Sequence, residues 1–190
     1  MPCRSRLVNV KIRVTAVPYH HGDLRRTLLD TALDAVAEHG PAALSLRDVA
    51  RRAGVSHAAP AHHFGDKTGL LTALAAEGWS GLADALEAAG GFAEQGVAYV
   101  VFATGHPAHF AVMRTPGLVR TDDRALAAAA ARAGAALEAG AGEVDDDPTT
   151  AVAGWALVHG LASLLLEGSL TPEEGTDVAD LARAVTGRLR

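Results

Sequence analysis

Apolar residues recur every three or four positions along most of the chain, which is the spacing of one face of an α-helix. The first such run predicts a helix over about residues 23–39, which Gly40-Pro41 ends. Its apolar face consists of Leu24, Leu28, Ala32, Ala35 and Val36. Residues 7–17 alternate in polarity, but no partner strand with hairpin turn residues accompanies them. The pattern therefore predicts an all-α fold.

The same spacing, with the positions of Gly, Pro and Asp, predicts the later helices. Asp66 is suited to cap the first of them, and Gly90-Gly91 ends it. The predicted helices cover about residues 66–89, 92–104, 107–114, 122–139, 148–167 and 176–189, with an acidic loop at 139–147.

Residues 45–67 contain two short helical patterns separated by a glycine turn. Ser45 can cap the first helix, and Asp48, three positions later, can complete a capping box. Gly54 stands where a left-handed residue ends a helix, and Ser56 can cap the next one. Two helices joined by a short glycine turn form a helix-turn-helix motif, whose second helix lies in the major groove of DNA.

The second helix of this motif, about residues 56–64, carries the candidate base-contacting side chains. Small apolar side chains contact thymine methyl groups, and histidines bond to phosphates or base edges. The candidates on this helix are His57, Ala58, Ala61 and His62, with His63 assigned to packing or a phosphate contact. Arg47, on the solvated face of the preceding helix, is a further predicted DNA contact, and Phe64 is the predicted hydrophobic anchor.

Charge is distributed unevenly along the chain, whose net charge is −5. Through Lys67 there are 10 Lys and Arg against 6 Asp and Glu, and the remainder has 7 against 16. A basic N-terminal third can supply the electrostatic attraction that nucleic acid requires, with the acidic remainder facing away.

Residues 1–17 contain four Lys or Arg and no acid, which predicts a basic, disordered arm or residues upstream of the native start. The single cysteine, Cys3, cannot form an intrachain disulfide. No apolar secretory segment follows the basic start, so a cytoplasmic location is expected.

Residues 148–167 form the most apolar predicted helix, which must be buried on more than one side. A membrane span is disfavoured, because the run is short of the ~20 residues required, His159 and Ser163 interrupt it, and its flanks are acidic. We predict instead that this helix and residues 176–189 form a four-helix bundle with a second copy. Helix-turn-helix dimers contact half-sites about one DNA turn apart, so a homodimer fits a palindromic operator.

The pattern AGVSxxxxxxHFGDKxxLL, residues 53–71, resembles the DNA-binding domain of TetR-family transcriptional regulators. The segment YHHGDLRRTLLDTALDAVAEHG, residues 19–40, resembles the first helix of that domain, and the resemblance covers about residues 19–80. It implies phosphate contacts by Ser45, Ser56 and Lys67. Ala61 departs from the family pattern, since many members carry a tyrosine there that touches the DNA backbone.

The resemblance also implies the domain organisation. A three-helix helix-turn-helix domain is expected over residues 18–80, with its motif at about 46–65. A larger helical domain for dimerisation and ligand binding is expected over residues 81–190. Trp155, His159 and Gly160 resemble the Trp-His-Gly signature of one TetR C-terminal subclass.

A candidate effector pocket can be assembled from aromatic, histidine and methionine residues of the C-terminal part. His106 and His109 either line such a pocket or serve the core and a helix turn. Trp155 and His159, four positions apart on one helix face, either line it or pack at the dimer interface. The complete candidate set is Phe102, His106, His109, Phe110, Met113, Trp155 and His159.

Metal binding and catalysis have little support in the sequence. The paired histidines at 20–21, 62–63 and 106 with 109 lack accompanying cysteines or paired acids, so no metal site and no other cofactor is expected. No phosphate loop, nucleophile elbow or His-Glu metal motif is present, so the chain is not expected to be an enzyme.

The sequence thus predicts a homodimeric transcription factor, acting as a repressor, that binds a double-stranded DNA operator and a small-molecule effector of unspecified identity. The effector would favour a conformation in which the helix after the motif moves and the two recognition helices lose their spacing. The alternative is an all-α ligand-binding or protein-interaction module, which would show no salt-dependent binding to duplex DNA.

Overall fold

The structure is a computed structural model that describes residues 24–188. The predicted basic arm, residues 1–17, lies outside this part of the chain. Within it every regular element is helical, which confirms the all-α prediction. The α-helices are α1 (Leu24–His39), α2 (Leu46–Arg52), α3 (Ala59–Phe64), α4 (Lys67–Glu87), α5 (Phe92–Gly105), α6 (Pro107–Met113), α7 (Arg124–Gly142), α8 (Thr149–Leu166) and α9 (Val178–Thr186). Two 3-10 turns, Pro41–Ala43 and Pro116–Leu118, complete the set in residues 24–188.

Aspartates determine where three of these helices begin. The side chains of Asp66, Asp123 and Asp177 each accept a backbone N–H in the first turn of α4, α7 and α9. An accepted N–H at this position satisfies a donor that has no partner within the helix. The cap at Asp66 confirms the start predicted for α4.

Three predicted boundaries differ from the structure. Helix α7 continues to Gly142, through the first part of the predicted 139–147 loop, because Gly140 and Ala141 are buried against the body of the protein. Helix α9 begins two residues later than predicted, after its Asp177 cap, and ends at Thr186. The recognition helix α3 begins at Ala59, and the preceding residues form a turn.

The buried apolar side chains form two cores that share helix α4. The N-terminal core joins α1, α2 and α3 to the first half of α4, and the C-terminal core joins the second half of α4 to α5, α7, α8 and α9. Trp79 packs against both cores. This changeover lies next to the predicted division between residues 18–80 and 81–190, but the division into two domains stays a prediction.

Helix α6 is a second connection between the two cores. Val112 is fully buried in the N-terminal core, whereas Phe110 is buried in the C-terminal core. On the adjacent surface of α4, Glu77 accepts a 2.9 Å hydrogen bond from Arg26 of α1 and lies 3.8 Å from Nε2 of His109. Helices α1, α4 and α6 therefore meet at one polar cluster beside the junction of the cores.

Helix α8 is apolar on a side that nothing in the described chain covers. Its inward side buries Gly154, Val158, Leu161 and Ala162. On its outer surface Val152 is 61% exposed and Leu164 46% exposed. By length and composition alone, residues Thr149–Leu166 would also suffice to cross a membrane. Helix α8 thus has one apolar side covered by the protein and one apolar side left uncovered. Its role as an interface helix or a membrane helix depends on what covers the second side.

Candidate nucleic-acid interface and adjoining cavity

Helices α2 and α3 are joined by a tight turn centred on Gly54. Gly54 has φ of +67°, a left-handed conformation that costs a residue with a side chain about 1–2 kcal/mol. The Val55 N–H returns to the Ala50 carbonyl at 3.0 Å, which closes the end of α2. The side chain of Val55 packs against the N-terminal core, so the angle between the two helices is held from inside.

Helix α3 is anchored by its apolar residues and displays its polar ones. Pro60 and Phe64 are buried, and the Arg25 guanidinium lies 5.2 Å from the centre of the Phe64 ring. This burial confirms the anchoring role predicted for Phe64. The four base-contact candidates of this segment, His57, Ala58, Ala61 and His62, are exposed, and so is His63, for which packing or a phosphate contact is predicted. Helix α3 and the turn before it therefore present small side chains and imidazoles outward.

The predicted serine caps and capping box are wrong. Ser45 precedes α2, but its hydroxyl makes no cap hydrogen bond, and Asp48 does not reach back to it. Asp48 instead accepts hydrogen bonds from Arg51 and Arg52, both at 2.6 Å, and these hold the pKa of its carboxyl below the usual range. Ser56 does not cap α3 either, since Ala58 is the residue preceding that helix. Both serines are exposed, so their hydroxyls are accessible to a ligand.

Most cations near the motif are already paired with carboxylates. Arg52 donates two hydrogen bonds of 2.8 Å to Glu38 in addition to its bond to Asp48. Arg47 differs, because it is exposed and makes no ion pair within residues 24–188. Lys67 donates from Nζ to the Ala42 carbonyl at 2.5 Å, which places its ammonium beside the turn before α2. Arg47 and Lys67 are therefore the two predicted cationic contacts without a carboxylate partner.

The charge asymmetry of the sequence depends strongly on its first residues. Residues 24–67 contain six Lys or Arg and five Asp or Glu. Four further cations belong to residues 1–17, outside the described chain. The surface around α2 and α3 thus has little net charge of its own.

A cavity of about 260 Å³ lies within the C-terminal core, between α4, α5, α7 and α8. Its walls are aliphatic and aromatic, and no Asp, Glu, Lys, Arg or His is among the described residues that line it. The aromatic residues in the lining are Trp79, Phe92, Tyr99 and Trp155, and the polar ones besides Tyr99 are Gln95 and Thr186. The cavity is partly open, since Trp155 is 46% exposed and Val144, also in the lining, is 54% exposed.

The polar side chains beside the cavity differ in whether their hydrogen-bonding atoms have partners. The Tyr99 hydroxyl and Nδ1 of His159 share a 2.7 Å hydrogen bond, and burial raises the pKa of the Tyr99 phenol. Burial and the charge of Arg114 lower the pKa of His159. Gln95 donates from Nε2 to the Ala136 carbonyl at 2.9 Å, while its buried Oε1 has no partner in the described chain.

Of the seven candidate pocket residues, Trp155 lines this cavity. His159 is one hydrogen bond away through Tyr99, and Phe110 packs edge-on against that same tyrosine with ring centres 6.0 Å apart. Phe102 is buried in the C-terminal core, and His106 stacks on its ring at 4.7 Å.

The two other candidates, His109 and Met113, lie on α6 beside α4. His109 is within reach of Glu77, and Met113 packs close to Gly78. The sequence reasoning missed Gln95 and Tyr99 as lining residues. Their signal is a pair of polar residues four positions apart, and therefore on one face, in the mainly apolar α5.

In the described part of the chain no group of three or more His, Cys, Asp or Glu is arranged to hold a metal ion. His62 and His63 are adjacent, with ring centres 5.5 Å apart and planes at 76°. His106 and His109 have ring centres 6.2 Å apart.

Comparison with known proteins gives two regions of similarity. Residues 28–74 match the family described as bacterial regulatory proteins, tetR family, and residues 92–189, just over half of the chain, match the tetracyclin repressor-like C-terminal domain. The HTH-type transcriptional regulator BetI of Klebsiella pneumoniae (strain 342) is 45% identical over 62 residues. That alignment covers 33% of this chain and 32% of BetI, so the chain spans about a third of the length of this relative.

Solved structures resemble nearly the whole described fold. A protein of unknown function from Rhodococcus sp. RHA1 is 33% identical with a TM-score of 0.74, covering 90% of this chain and 96% of that one. The TetR family transcriptional regulator PfmR from Thermus thermophilus has a TM-score of 0.63 at 24% identity, covering 85% of this chain and 96% of PfmR, and shows similarity of fold alone. The predicted Trp-His-Gly subclass stays a prediction.

Proposed function

Because the chain belongs to the TetR family of bacterial regulatory proteins, we propose that it is a cytoplasmic, homodimeric repressor that binds a palindromic DNA operator and releases it on binding a small molecule. Members of this family are transcriptional regulators and are generally not enzymes. The observation that carries the proposal is the exposed surface of α3, held at a defined angle to α2 by the turn at Gly54.

Operator binding would use this surface for base contacts and a few cations for phosphates. Ala58 and Ala61 offer short side chains, suited to close approach to the floor of the major groove, and the imidazoles of His57 and His62 can bond to base edges or phosphates. Neither Arg47 nor Lys67 is paired with a carboxylate in the described chain, so neither must break an ion pair before it contacts a phosphate. Since the described motif has almost no net charge, the basic segment at residues 1–17 would supply much of the electrostatic attraction.

Dimerisation would cover the outer side of α8, with α9 beside it. Val152 and Leu164 are exposed there, and Ala153, Ala156 and Gly160 between them are small enough for close approach of a second helix. An apolar surface of this kind is unfavourable in water and marks an interaction site. A two-fold dimer formed through α8 would place two copies of α3 for adjacent half-sites.

Ligand response would pass through α4, which reaches from the cavity to the recognition helix. Trp79, Leu82 and Leu86 of α4 line the cavity, and Gly69 near the other end of α4 lies against the backbone of Phe64, the last residue of α3. A ligand that binds more tightly to one orientation of α4 would shift the population toward that orientation. The spacing of the two α3 helices in the dimer would change with it.

Selection of bound duplexes from a random DNA library tests the proposal. The purified protein should enrich an inverted repeat with half-sites about one helical turn apart. Binding should weaken steeply as salt rises, because phosphate contacts release counterions. No enrichment, together with salt-independent behaviour, would favour the interpretation as a protein-interaction module.

A matched pair of arginine variants sharpens this experiment. Arg47 and Arg124 are both exposed and without ion pairs in residues 24–188, but Arg47 lies on α2 and Arg124 at the start of α7. Arg47→Ala should weaken binding to all duplexes and reduce the slope of log affinity against log salt by about 1. Arg124→Ala should leave both unchanged, and equal effects of the two substitutions would refute the assignment of the interface.

A further inference from the structure

The surface proposed to contact DNA is rich in histidine. Three of the nine histidines of the chain, His57, His62 and His63, lie within seven residues, and all three are exposed. His57 is in the turn that leads into α3, and the rings of His62 and His63 on α3 have centres 5.5 Å apart. Imidazole is the side chain that ordinarily gains or loses its charge between about pH 5 and 8. The charge of this surface can therefore change within that range of pH.

The carboxylates of α2 and of the start of α4, the two helices that pack against α3, are already bonded to arginines. Asp48 of α2 accepts hydrogen bonds from Arg51 and Arg52. Asp66, which caps α4, accepts a 2.7 Å hydrogen bond from Arg120. Neither carboxylate is therefore free to pair with an imidazole of α3.

His63 also lines a groove between α3, α4 and α7, and the acids of that groove are engaged as well. Glu77 accepts a hydrogen bond from Arg26, and Asp123 accepts two backbone N–H groups at the start of α7. The cations of the groove are Arg25, Arg120 and Arg132. Among the described residues, the groove thus offers His63 no carboxylate without a hydrogen-bond partner.

The unpaired charges around α3 are cationic. Arg25, Arg47 and Lys67 make no ion pair within residues 24–188. Asp34 of α1 makes none either, but it lies beside Arg52 in a separate surface depression. The imidazoles therefore belong to a surface on which an approaching phosphate meets cations and histidines.

Protonation of the histidines would add several charges to a motif that has almost none. Residues 24–67 carry six Lys or Arg and five Asp or Glu, a net charge of +1 with neutral histidines, and three protonated imidazoles would make it +4. Duplex DNA carries one negative charge per ~1.7 Å of its axis, and a phosphate next to an imidazole favours the protonated form. Because such coupling is reciprocal, protons that bind better in the presence of DNA also make DNA bind more tightly.

We propose that operator binding is coupled to the uptake of protons by His57, His62 and His63, so that the protein binds its operator more tightly as the pH falls from about 7.5 to about 6. This inference rests on the proposed function, in which α3 lies in the major groove, and it adds regulation of that same surface by pH.

Fluorescence anisotropy with the selected duplex, carrying a dye insensitive to pH, tests the coupling at constant salt. Uptake of one proton changes the affinity about tenfold for each pH unit, so we expect log affinity to rise by at least about 1 per unit of acidification. The slope of log affinity against log salt should also steepen at pH about 6, by about 1 for each imidazole that contacts a phosphate. Circular dichroism at each pH measures the folded fraction, to which the affinities are corrected.

Two results would overturn the proposal. One is an affinity that does not change with pH. The other is an affinity that falls in acid, which is expected if neutral imidazoles accept hydrogen bonds from base amino groups.

Histidine variants make the test specific to this surface. The combined substitutions His57→Gln, His62→Gln and His63→Gln remove the titrating groups at exposed positions, so most of the pH dependence should disappear. His106→Gln is the control, because His106 is also exposed but stacks on Phe102 of the C-terminal core, and it should keep the full pH dependence. Retained pH dependence in the triple variant, or its loss in His106→Gln, would contradict the assignment.

Titration calorimetry counts the protons independently. Measured in two buffers of different ionisation enthalpy at pH about 6.5, binding of the duplex should take up at least about one proton per dimer, and fewer in the triple variant. If an inverted repeat is selected and binding depends on salt but takes up no protons, the regulator assignment holds and this inference is wrong. If no duplex is selected at any pH, the proposed function fails, and this inference fails with it.

Discussion

Gly69 is the point where the recognition helix rests on α4, and substitution to alanine should displace it. A Cβ at Gly69 would overlap the carbonyl oxygen of Phe64, the last residue of α3, and would lie 3.1 Å from its carbonyl carbon. Arg120 Nη1, at 2.8 Å, can rotate away, but a backbone carbonyl cannot. Because non-bonded carbon and carbonyl oxygen atoms approach no closer than about 3.3 Å, α3 and α4 must separate by roughly 1 Å.

The expected change in the free energy of unfolding is the sum of two opposing effects. Overpacking of this kind costs about 1–3 kcal/mol, and the change from glycine to alanine within a helix returns about 1 kcal/mol. Gly69→Ala should therefore lower the free energy of unfolding by about 1 kcal/mol. Its effect on DNA binding should be larger, because loss of even one well-formed base contact removes about 1–3 kcal/mol of discrimination. We expect affinity for the selected duplex to fall by about 5- to 150-fold.

Urea denaturation and fluorescence anisotropy with the labelled duplex measure the two effects. Gly134→Ala is the matched control, since Gly134 lies in the middle of α7 and a Cβ there would have no atom within 4 Å. That variant should gain about 1 kcal/mol and keep its duplex affinity. If Gly69→Ala gains stability like the control and binds the duplex normally, the contact between α3 and α4 does not position the recognition helix.

Three further predictions concern the interface, the dimer and pH. Ala61 is exposed on α3, so Ala61→Tyr, which introduces the residue common in the family at this position, should tighten duplex binding severalfold in anisotropy titrations; unchanged or weaker binding would contradict the orientation of α3. Leu164→Arg on the outer side of α8 should convert the proposed dimer to monomer in analytical ultracentrifugation, whereas Ala37→Arg on the exposed side of α1 should not. Burial lowers the pKa of His109, with the nearby carboxylate of Glu77 opposing the shift. The folded state then binds fewer protons than the unfolded state, so stability should fall as pH drops through about 6.5. His109→Gln should reduce that pH dependence in urea denaturation at pH about 7 and about 5.5, and an unaltered pH dependence would argue against a buried imidazole.

The helices and the motif could be predicted because their signals are local. Residues three and four positions apart meet on a helix face, so the apolar pattern alone identifies α1, α4 and α8. The turn at Gly54 and the cap at Asp66 likewise involve atoms within a few residues of each other. The capping box failed for a related reason: Asp48 has Arg51 and Arg52 within one helical turn, and these charged donors take the carboxylate that the capping box required.

The cavity could not be predicted in the same way, because its walls come from helices far apart in the chain. Trp79 and Trp155 both line it, although they are 76 positions apart in the sequence. The seven candidate pocket residues were grouped by type and by proximity in sequence, and most of them serve instead as core residues or as contacts between α5, α6 and α4. Oε1 of Gln95 lacks a donor in the described chain because of how distant segments pack, and no rule of sequence spacing predicts this.

Local spacing was thus sufficient to establish the helical elements, the angle-forming glycine between α2 and α3, and the apolar character of α8, since each depends on side chains within one or two helical turns. Long-range packing alone decided that α4 joins both cores, that Gly69 supports α3, and that aromatic residues from three helices line a partly open cavity without charged walls. These features arise where surfaces of distant segments meet, and the positions of those meetings are determined by the packing of the whole chain.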